Sequence, residues 1–65
     1  MLEFEQAMLR ERFQDLLASE HQAIKAYVEL AARTTDPDIL KKVEHLLRDK
    51  QRHVELTERL LEIVE

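Results

Sequence analysis

The chain has 65 residues, with no glycine, no cysteine and one proline, and 37 % of its residues are charged. Lacking cysteine, it has no disulfides, thiolate zinc sites or cysteine nucleophile; lacking glycine, it has no phosphate-cradling loop or tight primed hairpin, which need positive φ. The net charge of −4 argues against nucleic acid and anionic membrane as partners.

So short a chain buries little apolar surface by itself, which leaves metal binding and self-association as routes to stability. The hydrophobic fraction is 45 % and the aromatic fraction only 5 %, with Ala, Leu, Glu, Lys, Arg and Gln dominant. That is the composition of long helices. No apolar run approaches the roughly 20 residues needed to span a bilayer. Met1-Leu2-Glu3-Phe4-Glu5 is acidic and interrupted, unlike a secretory signal. The expectation is a soluble, cytoplasmic protein.

The first predicted element is a helix over about residues 2–33. Its apolar stripe runs Leu9, Phe13, Leu16, then Glu20, then Ala23 with Ile24, Tyr27, and Leu30 with Ala31. Arg33 sits in the last turn, as helix C-termini prefer. The turn follows at 34–36. There Asp36 is a good N-cap, Pro37 fits the first helical position, and Asp38 favours the positive helix end. The second helix is predicted over about 37–64, with a stripe of Ile39, Leu40, Val43, Leu46 and Leu47. Lys50 follows, then His53 with Val54, Thr57, Leu60 with Leu61, and Val64. Steps alternating between three and four make both stripes bundle-forming faces. Each helix is roughly 40–48 Å long at 1.5 Å per residue. The short turn makes them antiparallel neighbours. The fold expected over residues 1–65 is therefore a single all-α, antiparallel two-helix hairpin. Alone, it leaves one side of each stripe in water. A two-fold homodimer forming a four-helix bundle, or a larger oligomer of such dimers, would cover that side.

The stripes are interrupted at one level. Glu20 lies 16 residues before Asp36, while Lys50 and His53 lie 14 and 17 after it. An antiparallel hairpin brings these three side chains to the same height of the core, and Tyr27 stands two turns nearer the connection. A buried carboxylate is costly unless it is paired or binds a metal. Carboxylate and imidazole from facing helices are the usual donors of bundle-core metal sites, with Glu-x-x-His on alternate helices of the di-iron type. Here the second helix reads Lys50-Gln51-Arg52-His53.

On Glu20, Tyr27, the Thr35-Asp36-Pro37-Asp38 turn and His53, the sequence from about Ser19 to Leu61 resembles the ferritin-like superfamily. It is most similar to encapsulated ferritins and rubrerythrin-type helices. The resemblance implies a hairpin that completes a di-iron ferroxidase centre across a subunit interface. It gives Glu20 and His53 as metal ligands and Tyr27 as an aromatic beside the site, able to tune it or quench a radical. The implied cofactor is iron or another divalent transition metal, with Fe²⁺ held by two chains and O₂ accepting electrons. By resemblance alone, an encapsulin shell is a partner and a protein nanocompartment a location, although the family's targeting tail is not found in these residues. Lys50 departs from the pattern at the position of the carboxylate that bridges the two metals.

In a dimer two Glu20, two Lys50 and two His53 would meet, so the glutamates are balanced by the lysines without metal. Two arrangements stay open. Either Lys50 takes the cation's role by hydrogen bonding to the carboxylate, or two Glu20 and two His53 hold a residual metal. The corresponding functions are a ferritin-like iron-binding and oxidising protein, and a metal-free structural or interaction module whose Glu20–Lys50 pairs set dimer register. His21 and His45 are weaker candidates, and Glu44 is a reserve carboxylate within i+4 reach of Arg48.

Overall fold

The computed structural model of the chain describes residues 3–65, which form two helices and no strand. Helix α1 spans Glu3–Arg33 and helix α2 spans Pro37–Val64. The predicted start at Leu2 lies outside the described residues. Nothing in α1 breaks a helix: it has neither glycine nor proline, and its charges suit its dipole, with Glu3 and Glu5 in the first turn and Arg33 in the last.

The helices are separated where proline disfavours a helical residue before it. Asp36 accordingly adopts an extended conformation, φ −77° and ψ 116°. Its Oδ1 accepts hydrogen bonds from the backbone N–H of Asp38 at 2.9 Å and of Ile39 at 3.4 Å. Its own N–H donates to Thr34 Oγ1 at 3.3 Å. The cap satisfies donors that the first turn of α2 leaves orphaned, a contribution of about 1 kcal/mol.

At the opposite end, Gln6 Nε2 donates to the Val64 carbonyl at 2.6 Å and Arg10 Nη2 to the same oxygen at 3.3 Å. The last carbonyls of a helix have no partner within it. These two side chains supply one, and they clasp the open end of the hairpin. The register is therefore held twice, by the turn at one end and by the clasp at the other.

The Cα trace spans 51 × 14 × 11 Å. Two helices side by side make a single layer, one helix thick. Such a shape can bury only the seam between α1 and α2. Val43, Val54, Leu61, Val64 and Thr57 of α2 and Glu20 of α1 are the buried residues among those described. Leu16, Leu30, Ile39 and Leu46 belong to the same sequence stripes, yet each remains between 41 % and 46 % exposed. Their apolar surface lies on one open side of the hairpin. Neither helix is long and apolar enough to cross a membrane.

Candidate functional site

Glu20 stands seven residues from both Phe13 and Tyr27, so the heptad spacing that aims those rings inward also aims its carboxylate at α2. It is 9 % exposed, the only buried residue of α1. Facing it on α2, Lys50 and His53 are three residues apart and share one side of that helix. Lys50 Nζ donates to Glu20 Oε1 at 3.3 Å. His53 Nδ1 lies 3.6 Å from Glu20 Oε2, longer than a hydrogen bond. Glu20 Oε2 itself is buried and has no hydrogen-bond partner among the described residues.

The three side chains differ in their access to water. The Glu20 side chain is almost covered, the Lys50 side chain is 27 % exposed, and the His53 side chain is 56 % exposed. Lys50 thus lays its methylenes along the seam and turns its ammonium toward the carboxylate. His53 lies at the margin of the layer. Its carbonyl accepts a 2.7 Å hydrogen bond from Thr57 Oγ1, a back-bond that accounts for the polar atom of a residue only 3 % exposed.

Above the layer is an apolar groove of ≈ 180 Å³ lined by Leu16, Glu20, His53, Leu56, Thr57 and Leu60. The unpartnered carboxylate and the imidazole therefore adjoin the open side of the hairpin. Tyr27 is half-buried and is not among the residues lining this groove. His21, Glu44 and His45 are all exposed and stand apart from it.

One hairpin offers one carboxylate and one imidazole, with an ammonium on the carboxylate. That set does not fit a two-iron centre, which needs several carboxylates to balance two cations. Among the described residues no three His, Asp or Glu side chains converge so as to hold a metal ion. What the arrangement can do is hold a partly buried charge pair beside an apolar surface, with one carboxylate oxygen lacking a donor among the described residues.

The sequence spacing brings Glu20, Lys50 and His53 together at one height, as the register requires. It did not reveal the Gln6 and Arg10 clasp. The signal for that lay in two long polar donors one turn apart, on the inward side of α1 and level with the end of α2. No family model, curated protein or solved structure matches this chain.

Proposed function

We propose that the chain is a self-associating, ferritin-like helical hairpin whose function is assembly. Two copies close a four-helix bundle over the open side, enclosing a polar layer of Glu20, Lys50 and His53. Lys50 supplies the positive charge that a divalent metal supplies in the iron-oxidising members of that superfamily. The observation that carries this reading is the state of the Glu20 carboxylate. One oxygen is hydrogen-bonded to Lys50 at 3.3 Å, and the other is buried, without a donor, beside an apolar groove.

A buried unsatisfied acceptor costs roughly 1–3 kcal/mol. A second copy seated on the groove would cover Leu16, Leu56 and Leu60 and bring donors of its own to that oxygen. In the bundle this layer would act as a register device, since a shift of one copy by a turn would part each Glu20 Oε2 from the donors of the second copy. Sedimentation equilibrium of chelator-treated protein tests this: a dimer or an even-numbered assembly is expected, and a monomer at every concentration would reject it.

A second reading is favoured by one observation, the 3.6 Å approach of His53 Nδ1 to the unpartnered oxygen. Two copies would place two Glu20 and two His53 around one point, a donor count suited to a single divalent ion. Metal analysis together with a ferrous oxidation assay decides between the readings. The assembly reading expects oxidation no faster than buffer. The metal reading expects at least one ion per two chains and oxidation above that background.

A further inference from the structure

The open side of the hairpin is continuous. The groove at Leu16, Leu56 and Leu60 is followed, toward the clasped end, by a second groove of ≈ 340 Å³ lined by Glu5, Met8, Leu9 and Arg12. Toward the turn it is followed by the exposed Leu30, Ile39 and Leu46. An apolar surface running the length of a rod this thin is what an antiparallel bundle covers with a second hairpin.

The charges bordering that surface differ in balance between the two helices. On α1, Glu11, Asp15, Gln22 and Glu29 succeed one another at steps of four and seven, so they form one edge, and all are exposed. Arg12 lies nearer the groove and is within i+3 reach of Asp15. On α2, Lys41, His45, Arg48, Arg52 and Arg59 succeed one another at steps of four, three, four and seven, and they are exposed too. Arg52 and Arg59 flank Leu56 of the groove at i−4 and i+3, which places this edge beside the same open side. Lys25 and Arg33 also fall in the α1 row, and Asp49 and Glu55 lie beside Leu56 on α2, so the α1 edge is acidic and the α2 edge basic on balance.

We infer that the second copy docks with its α2 against α1 of the first, and its α1 against α2, so that acidic edge meets basic edge along both seams. This rests on the self-association proposed above and is independent of whether metal binds. The alternative two-fold packing sets α1 beside α1 and α2 beside α2. It would juxtapose Glu11, Asp15 and Glu29 with their own kind, and Arg48, Arg52 and Arg59 likewise. Exposed ion pairs contribute little affinity, which comes from the apolar grooves. Like charges set opposite one another are penalised, so the edges select the orientation.

Charge reversal of one edge at a time tests the inference, with dissociation constants measured by sedimentation equilibrium. Changing Glu11, Asp15 and Glu29 together to lysine moves the net charge from −4 to +2, so general repulsion between copies falls. The inferred seams nevertheless require the dimer to weaken, by about tenfold or more. Adding Arg48→Glu, Arg52→Glu and Arg59→Glu to that variant restores opposite charges and returns the affinity to near the wild-type value. A lysine variant that dimerises as tightly as the wild type overturns the orientation.

A second measurement needs no charge change. The chain has no cysteine, so Gln22→Cys provides a single spin-label position. With helix axes about 8–10 Å apart, seams of α1 on α2 place the two labels on opposite sides of the bundle, more than roughly 20 Å apart. Seams of α1 on α1 would bring them within roughly 15 Å, which overturns the inference. A wild-type protein that never dimerises instead ends the self-association reading, and the orientation with it.

Discussion

Replacing Lys50 with methionine keeps the bulk of the side chain along the seam and removes only its charge. Among the described residues the Lys50 ammonium is the one hydrogen-bond donor to the Glu20 carboxylate, and Oε2 has no partner. Without it a carboxylate only 9 % exposed has no donor within its own hairpin. Breaking a fully buried pair from one side costs about 3–5 kcal/mol. Lys50 is 27 % exposed, so water screens part of that interaction and about 2 kcal/mol is the better figure. For so small a chain this lowers Tm by roughly 8–16 °C. Glu20→Leu should act in the opposite direction. It removes a carboxylate whose Oε2 has no donor within the hairpin, completes the apolar stripe, and leaves Lys50 free to extend into water. The double variant Glu20→Leu with Lys50→Met should be at least as stable as the wild type. Thermal unfolding followed by circular dichroism, with chelator and at one fixed concentration because dimer stability depends on it, measures all three. If Lys50→Met unfolds within about 0.5 kcal/mol of the wild type, the Glu20–Lys50 pair does not hold the layer.

Three further outcomes are expected. Lys50→Glu creates Glu-x-x-His at 50–53 and four carboxylates per two chains, and equilibrium dialysis should find about two divalent ions per dimer where the wild type holds none; loss of the dimer without metal uptake would show that Lys50 served assembly alone. Leu16→Glu combined with Leu56→Glu places charge on the central groove and should give a monomer that has lost most of its helical signal, read by sedimentation and circular dichroism. Asp36→Ala removes the acceptor for Asp38 and Ile39 N–H and should lower stability by about 1 kcal/mol without changing the oligomeric state.

The helix boundaries were legible because Asp36-Pro37-Asp38 fixes the start of α2 by cap and proline chemistry that acts within a few residues. The polar layer was legible for a related reason. In an antiparallel hairpin the turn sets which residues share a height, so counting from Asp36 places Glu20 level with Lys50 and His53. The counting gives height but not burial or which atoms touch. It could not show that Lys50 reaches Oε1 while Oε2 stays unpartnered. Nor could it show that His53, on the stripe by spacing, is more than half exposed in a single hairpin. The stripes at Leu16, Leu30, Ile39 and Leu46 were broader than one seam can cover, and their remaining exposure reflects that excess. The clasp of Gln6 and Arg10 on Val64 depends on the relative lengths of the two helices, which local periodicity does not specify.

The proposed assembly requires a second copy, with no metal present, to complete the layer around Glu20. Its most direct test is the mass of the chelator-treated protein at sedimentation equilibrium, with metal content determined on the same sample. The expected mass is at least twice the 7.8 kDa of one chain, with less than a stoichiometric amount of metal. A species of 7.8 kDa at all concentrations, or an assembly that forms only when divalent metal is added back, would contradict it.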